Sequence, residues 1–260
     1  MNSHHDLTPP ANPPVIWITG ASQGIGEAVA IAMARAGMVV AASARNVERL
    51  AALANQSTDL TGSIAPYPLD VTDQAAVKMT VDKIIAQHGG IDQAILNAGT
   101  YIPSPATGFT SDAVRQQVEL NLMGVCHCLE PLITYMTGRG KGTIAMNASL
   151  AGYRGLPRAA GYGASKAALI NMAESLNTEL SDVGIDIKVI NPGFVKTPLT
   201  SKNRFPMPFL MEVDKAAELI VKGMKGRQFE IRFPRIFAAI LGLLRSLPYP
   251  LYFWLIRKAG

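Results

Sequence analysis

Two residues on one predicted helix have the types and the spacing for proton transfer. Tyr162 and Lys166 are four positions apart, so their side chains leave the helix on the same face. A free phenol titrates near pH ~10, and a neighbouring ammonium group favours the phenolate. A tyrosine whose pKa is lowered in this way can exchange a proton with a carbonyl or alcohol oxygen near neutrality. The pair therefore predicts general acid–base chemistry, although the same spacing also occurs on ordinary exposed helix faces.

A serine precedes this pair and can serve the same chemistry. Ser149 follows a predicted strand, thirteen residues before Tyr162. Its hydroxyl can bind a substrate oxygen and hold it within reach of the tyrosine proton. Serine hydrolysis is disfavoured, because Ser149 has no obvious histidine base. The four histidines belong to the N-terminal segment, a helix end and a long helix, at His4, His5, His88 and His127.

A glycine-rich turn has the spacing of a phosphate site. Residues 19–26 read TGASQGIG and join the first predicted strand to the first predicted helix. A pyrophosphate needs backbone N–H donors at close range and a helix N-terminus directed at it, and glycine permits this approach. In this context the spacing predicts a dinucleotide site, against the alternative of a purely structural turn. The candidate cofactor-binding residues in this turn are Gly20, Ser22, Gln23, Gly24, Ile25 and Gly26.

Alternating apolar and amphipathic segments must position these residues. Apolar runs predict strands at 14–19, 38–43, 63–69, 91–96, 142–147, 185–190 and 229–233. Helices are predicted at 24–36, 47–55, 73–88, 162–183 and 213–224, and within 111–137, where Pro131 is expected to introduce a kink. Continuous apolar strands separated by helices indicate a parallel sheet covered on both faces. The predicted fold class is α/β, a doubly wound, Rossmann-like parallel sheet of seven strands with a C-terminal apolar and basic helical extension.

Composition bounds the domain organisation. With 260 residues, 48% hydrophobic and 17% charged, the chain can bury a large core, and disorder of the whole chain is excluded. We predict a disordered tail at 1–13, a single catalytic domain at 14–233 and the extension at 234–260. Cys126 and Cys128 cannot form a disulfide framework. Together with His127 they point in different directions on a helix, so no metal site is predicted.

Taken in order, the motifs resemble those of the short-chain dehydrogenase/reductase family between residues 15 and 200. The resemblance is carried by TGASQGIG at 19–26, Asp70, Val71, Asn97, Ala98, Gly99, Asn121, Ser149, YGASK at 162–166, and Pro192, Gly193 and Thr197. It implies hydride transfer between a nicotinamide and a ketone or secondary alcohol. Tyr162 would be the general acid, Lys166 would tune it and bind the nicotinamide ribose, and Ser149 would orient the substrate oxygen. Asn121 would anchor a proton-relay water, and the chain would form homodimers or homotetramers.

The resemblance also implies where the cofactor lies. Asp70 resembles the residue that bonds the adenine amino group, although it could instead cap the helix that follows. Asn97 would stabilise the central sheet and line the cofactor cleft. The segment after the sixth strand would meet the nicotinamide carboxamide. The further cofactor-binding residues are Val71, Ala98, Gly99, Pro192, Gly193, Val195 and Thr197, with Tyr162 and Lys166.

The end of the second predicted strand indicates which dinucleotide binds. NAD sites hold a carboxylate here for the ribose hydroxyls, whereas a cation suits the 2′-phosphate of NADP. Ala44 stands at the family's acidic position and Arg45 follows it, so NADP(H) is the predicted cofactor. Ser43 and Asn46 are expected to add hydrogen bonds. The alternative is that Arg45 is simply an exposed residue at a helix start.

The C-terminal region combines positive charge with apolar runs. Residues 222–258 hold eight Lys or Arg and one Glu without a nucleic-acid-binding motif, so nucleic acid is not a predicted partner. The apolar runs at 236–244 and 247–256 are too short to span a bilayer. They favour either a helical pair docked on a membrane surface, or an oligomer interface or cover for the core.

The predicted function is NADP(H)-dependent oxidation or reduction of a small-molecule carbonyl or alcohol. A stretch at 198–211 reads as a lid for a hydrophobic, lipid-like substrate, or as a loop ordered only in an oligomer; its apolar members are Leu199, Phe205, Met207, Phe209 and Leu210. The predicted location is the cytoplasm, with peripheral membrane attachment if the extension docks there. The alternative function is a non-catalytic NADP(H)-sensing protein on the same fold. Ser149, Tyr162 and Lys166 argue against it, because a sensor does not need them.

Overall fold

The computed structural model describes residues 13–202 and 206–259. All of the predicted N-terminal tail except Pro13 lies outside the described residues, and so does Phe205 of the predicted lid.

A parallel sheet forms the centre of the described chain. Its strands are β1 (Val15–Thr19), β2 (Val39–Ala44), β3 (Ser63–Pro68), β4 (Gln93–Leu96), β5 (Gly142–Asn147), β6 (Ile185–Pro192) and β7 (Glu230–Phe233). Their spatial order is β3-β2-β1-β4-β5-β6-β7, and every neighbouring pair is parallel. The order reverses between β1 and β4, which opens a crevice at the carboxyl ends of these strands. The predicted seven-stranded, doubly wound α/β fold is confirmed.

Helices cover both faces of the sheet. Within the described residues they are α1 (Gly24–Arg35), α2 (Val47–Asn55), α3 (Gln74–His88), α4 (Ser111–Val118), α5 (Gly124–Arg139), α6 (Ala160–Leu180), α7 (Val213–Lys225), α8 (Arg235–Ser246) and α9 (Tyr249–Ala259). Helices α1, α2 and α7 share one buried cluster, and α3, α5 and α6 share the other. Side chains alternate along β1, so Trp17 belongs to one cluster while Ile16 and Ile18 belong to the other.

The long helix predicted within 111–137 departs from the expectation. A π-helical segment, Glu119–Met123, joins α4 directly to α5. Helix α5 continues through Pro131 to Arg139. The long helix is therefore divided by the π segment, and Pro131 lies inside α5. Strand β6 also runs beyond the predicted residue 190 and ends at Pro192.

The C-terminal extension forms the predicted helical pair, α8 and α9. Ala238 and Leu241 of α8 are buried against Leu150. In the chain as described, the helices lack the combination of length and apolar character that crossing a bilayer requires.

Candidate active site

A cleft of about 530 Å³ opens at the carboxyl edge of the sheet. Its volume is in the range of small-molecule and cofactor sites. Most of the residues predicted as site residues line it. They are Gly20, Ser22, Gln23, Gly24, Ile25, Arg45, Asn46, Asp70, Val71, Asn97, Ala98, Gly99, Ser149, Tyr162, Lys166, Pro192, Gly193, Val195 and Thr197.

Three predicted site residues, Gly26, Ser43 and Asn121, are outside this lining. A Cβ on Gly26 would overlap the carbonyl oxygen of Gly20, so Gly26 permits close packing of α1 on the turn. Ser43 is 1% exposed, and its Oγ accepts a hydrogen bond from Trp17 Nε1 at 2.9 Å. Strand alternation thus turns Ser43 into the core, and its hydroxyl is used there instead of at a cofactor phosphate.

The glycine turn suits an anion at the start of α1. Gly20 and Gly24 have φ angles of 67° and 61°, in the left-handed region that favours glycine. The N-cap residue of α1, Gln23, makes no side-chain hydrogen bond to the first turn. The N–H groups of that turn and the positive end of the helix dipole therefore point towards the cleft. This is the arrangement that binds a phosphate.

Asn97 ties together the ends of three strands around the crevice. Its Nδ2 donates to the backbone oxygens of Thr19 at 3.1 Å and Gly20 at 3.2 Å. Its Oδ1 accepts from Asn147 Nδ2 at 2.7 Å. In return, Thr19 Oγ1 accepts from the backbone nitrogens of Asn97 at 3.0 Å and Ala98 at 3.1 Å. These bonds fix the spacing between the glycine turn and the ends of β4 and β5, which the predicted catalytic Ser149 follows.

The predicted proton-transfer pair begins α6 and faces the cleft. Lys166 is only 3% exposed, and its Nζ donates to the backbone oxygen of Asn147 at 2.6 Å. The same nitrogen lies 5.7 Å from the centre of the Tyr162 ring. Tyr101 packs edge-on against this ring, with centroids 5.2 Å apart. The phenol is therefore held between an ammonium group and a second aromatic ring.

Ser149 lies beside the phenol at the end of β5. It is 8% exposed, and its Oγ accepts from the backbone nitrogen of Ala151 at 3.1 Å. The hydroxyl donates to the backbone oxygen of Pro192 at 3.3 Å. The Ala151 bond orients the hydroxyl, and the longer Pro192 bond is one that a substrate oxygen can replace.

The electrostatics of the pair differ from the sequence-based expectation. Burial raises the pKa of Tyr162, a hydrogen bond with Ser149 lowers it, and Tyr101 raises it further; the net shift is upward. Burial also lowers the pKa of Lys166 to about 8. The chain's own groups therefore give no net lowering of the Tyr162 pKa, because desolvation of the phenol outweighs the hydrogen bond from Ser149.

Asn121 lies in the π segment behind the cleft. It is completely buried, and its Oδ1 accepts from the backbone nitrogen of Thr100 at 2.7 Å. Its Nδ2 donates to the Thr100 oxygen at 3.0 Å and to Ser165 Oγ at 3.1 Å. The side chain that was expected to anchor a relay water is bonded to protein groups through both of its polar atoms. It holds the loop after β4 against α6.

Cationic and polar side chains gather at the other end of the cleft, after β2 and β3. Arg45 Nη1 lies 3.7 Å from Asp70 Oδ2; the Arg45 side chain is largely exposed and that of Asp70 is half-buried. Burial raises the pKa of Asp70, but hydrogen bonds from Thr72 and the charge of Arg45 lower it, and the net shift is downward. The alternative role of Asp70 as a helix cap is wrong, since α3 is capped by Asp73.

Among the cleft residues that were not predicted from the sequence, Arg49 and Asn147 make polar contacts. Arg49 lies one turn into α2, and its Nη1 donates to Gln23 Oε1 at 2.5 Å, so a second guanidinium reaches the glycine turn. The start of α2 can be predicted from Asn46, which caps the helix by accepting a hydrogen bond from Arg49 N at 2.7 Å. That start places Arg49 in the first turn of α2. Asn147 also lines the cleft and provides the oxygen that holds Lys166.

Comparison with known proteins identifies relatives over most of the chain. Residues 14–206 match the family model for short chain dehydrogenases. An uncharacterized oxidoreductase of Myxococcus xanthus is 37% identical over 235 residues, which are 90% of this chain and 93% of that protein. The 3-oxoacyl-[acyl-carrier-protein] reductase of Thermotoga maritima is 33% identical over 188 residues, covering 72% of this chain and 76% of the relative.

Solved structures share the fold. A short-chain dehydrogenase from Sphingobium yanoikuyae in complex with NADPH aligns with a TM-score of 0.78 and 26% identity, over 91% of this chain and 97% of that one.

Proposed function

Because this chain belongs to the short-chain dehydrogenase/reductase family, we propose that it is an NADP(H)-dependent reductase of ketones, or the corresponding alcohol dehydrogenase. The observation that supports this proposal is the convergence of Ser149, Tyr162 and Lys166 in the same cleft as the glycine turn. A dinucleotide fits the cleft, because the positive-φ glycines and the uncapped start of α1 form a phosphate cradle.

Tyr162 is the proton donor in the proposed reduction. When bound in the cleft, a reduced nicotinamide would supply the hydride for the carbonyl carbon. Burial raises the pKa of Tyr162, so the phenol is protonated at neutral pH, as an acid that protonates the carbonyl oxygen must be. Ser149 donates a second hydrogen bond to that oxygen and fixes its distance from the phenol.

Lys166 has two roles in the proposal. Its Nζ bonds Asn147 O and carries further donors, which suit the hydroxyls of the nicotinamide ribose. It also lies close enough to the Tyr162 ring to stabilise the phenolate left after proton transfer. Asn121 supports both groups indirectly, because it braces α6 through Ser165.

The preference for NADP(H) rests on Arg45 and Arg49. Both guanidinium groups line the end of the cleft next to β2, where position 44 is alanine instead of an acid. A 2′-phosphate carries a charge that two guanidinium groups can bind with several charge-assisted hydrogen bonds. Arg49 is already directed towards the site by Gln23, which lies at the position where some family members carry a basic residue.

The proposed substrate has a hydrophobic body. Phe237 stacks on Phe194 with centroids 5.6 Å apart and lies 5.9 Å from Phe209. A Cβ on Gly193, which lines the cleft, would come within 3.0 Å of Phe237, so this aromatic group adjoins the segment expected at the nicotinamide. An acyl, sterol or similar lipid-like ketone suits such surroundings. We also propose the homodimer or homotetramer implied by the family, to be checked by light scattering.

The function is tested by NADPH oxidation with small ketones and with detergent-solubilised lipid ketones. We expect turnover on at least one ketone, and a loss of about 10²–10⁴-fold in Tyr162→Phe with NADPH binding retained. Tyr101→Phe is the matched control: it removes a hydroxyl from the neighbouring ring, keeps the edge-on contact, and should stay within a few-fold of the wild type. Equal turnover in Tyr162→Phe would refute the proposed acid. NADPH binding without turnover on any ketone would favour the sensor alternative.

A further inference from the structure

Exposed apolar side chains are concentrated on the C-terminal helices. Seven of the fourteen large hydrophobic residues that are exposed in the described chain lie on α8 and α9. On α8, Ile236, Ile240 and Leu243 are 65%, 45% and 68% exposed. Their spacing puts them on one stripe of the helix, whereas Ala238 and Leu241 on the opposite side are buried on the catalytic domain. Packing on the core explains why the inner stripe of α8 is apolar, but it does not explain why the outer, exposed stripe is apolar as well.

Helix α9 continues this pattern with aromatic residues. Leu251, Phe253 and Trp254 are 45%, 48% and 53% exposed, while Tyr252 is buried. The Trp254 ring lies 4.2 Å from Lys258 Nζ. Exposed aromatic rings beside cationic side chains suit the headgroup region of a bilayer, which is apolar on one side and wet on the other.

The charge of the two helices points to an anionic partner. They carry four cations, Arg235, Arg245, Arg257 and Lys258, and no acidic residue. Arg235 begins α8, where the helix dipole disfavours a cation, and the first turn has no acid to offset it. This arrangement does not serve the stability of α8, but it complements a negatively charged surface.

We propose that α8 and α9 dock on an anionic lipid bilayer, with their outer apolar side chains among the headgroups and acyl boundary and their cations paired with lipid phosphates. A second copy of this chain is a poorer occupant of the same surface. A two-fold interface would bring identical patches together, so Arg257 and Lys258 would face like charges.

This docking surface adjoins the substrate side of the cleft. Phe237 leaves α8 to contact Phe194 and Phe209, and Leu150 beneath α8 directly follows Ser149. This step rests on the proposed function: a bilayer on α8 would bring a membrane-dissolved ketone next to the aromatic side of the cleft.

Sedimentation with vesicles tests the proposal without requiring turnover. The full chain should bind vesicles of equal parts phosphatidylcholine and phosphatidylglycerol, bind pure phosphatidylcholine weakly, and be released by salt. Arg257→Glu/Lys258→Glu should weaken binding by at least about 25-fold, because each basic residue near such a surface contributes a factor of about five. Arg35→Glu/Lys141→Glu makes the same charge change at the opposite edge of the sheet and should leave binding near the wild-type value.

A second pair of variants tests the apolar stripe. Leu243→Ser should weaken vesicle binding by about tenfold, whereas Met79→Ser, at a methionine that is 66% exposed on α3, should not. Turnover of a water-soluble ketone should be unchanged in both, which separates failure of docking from failure of the enzyme proposal. Equal sedimentation of wild type and charge-reversed protein would overturn the proposal. So would a change of mass in lipid-free light scattering caused by Leu243→Ser, since the stripe would then join two copies.

Discussion

Lys166 is an ionisable group held inside the protein at a cost in stability. It is 3% exposed and has one protein oxygen, from Asn147, for its three N–H donors. Burial lowers its pKa from 10.5 to about 8. The folded protein therefore binds this proton less tightly than the unfolded chain does. Between pH 8 and 10.5 the unfolded chain therefore holds more protons at this site than the folded protein does. Wherever the unfolded state binds more protons, the free energy of unfolding increases as the pH rises.

Replacing Lys166 by methionine should remove this linkage. We expect the free energy of unfolding of the wild type, relative to Lys166→Met, to increase by on the order of 3 kcal/mol between pH 8 and 10.5. Subtracting the two curves cancels the tyrosines that titrate in the same range. Urea denaturation across that range measures the difference, and a curve that stays flat would show that Lys166 is not desolvated in the folded chain.

Single residues show what the sequence could and could not supply. Tyr162 and Lys166 share a cleft because one helical turn separates them, and that spacing is legible in the sequence. Ser43 is only two positions before Arg45, but it still belongs to β2, which ends at Ala44. Its hydroxyl therefore lies inside the sheet, where it accepts a hydrogen bond from Trp17 on the neighbouring strand. Arg49 was not predicted as a site residue, because its contact with Gln23 depends on the position of α2 relative to the glycine turn. Cross-strand and cross-helix partners of this kind are set by packing.

At the scale of elements, the strands and most helix bounds follow from local patterns, but the π segment does not. The sequence of residues 119–123 contains no pattern that predicts a π-helical turn. The π segment contains the buried Asn121, whose amide forms hydrogen bonds with the backbone of Thr100 and the hydroxyl of Ser165. These partners come from the loop after β4 and from α6. The π turn is therefore specified by tertiary hydrogen bonds, as is common at functional sites.

One arginine joins the loop that follows Ser149 to the C-terminal helices. Arg154 Nη1 donates to the backbone oxygens at the end of α8, and its guanidinium covers two rings of α9. The partners are Leu244 at 3.1 Å, Arg245 at 2.6 Å and Leu247 at 2.8 Å, with the rings of Tyr249 at 4.8 Å and Tyr252 at 4.3 Å. The bond from Tyr252 to the Gly155 oxygen strengthens the same junction. The helical pair is thus anchored next to Ser149, the serine of the proposed active site.

Arg154→Ala should loosen α8 and α9 without unfolding the sheet. Loss of charge-assisted bonds to three carbonyls should cost about 1.5–3 kcal/mol of local stability. We expect faster amide hydrogen exchange across residues 244–252, with the exchange of β1 and β4 unchanged. Arg158→Ala, at an exposed arginine of the same loop, serves as the control. Equal exchange in the two variants would mean that the helices are held by their apolar contacts alone.

On the scale of the whole molecule, the chain combines two positively charged sites of different kinds. The net charge is +5, and residues 222–258 hold eight basic residues and one acidic residue, so the rest of the chain is slightly acidic. Within that acidic remainder, Arg45 and Arg49 stand together at the cleft. A local cluster in an otherwise acidic region indicates a specific anion, whereas the broad C-terminal excess suits an extended anionic surface.

The stability of the whole molecule should therefore report which dinucleotide it prefers. A ligand that binds only the native state raises the free energy of unfolding as its concentration exceeds its Kd, by about 2.7 kcal/mol at a hundredfold excess. If Arg45 and Arg49 bind the 2′-phosphate, NADP⁺ should raise the Tm by several degrees more than an equal concentration of NAD⁺. In Arg45→Ala/Arg49→Ala the two shifts should become equal, while Arg35→Ala, at a remote exposed arginine, should keep the difference. Equal shifts in the wild type would refute the NADP preference, and a difference that survives in the double variant would assign it to other residues.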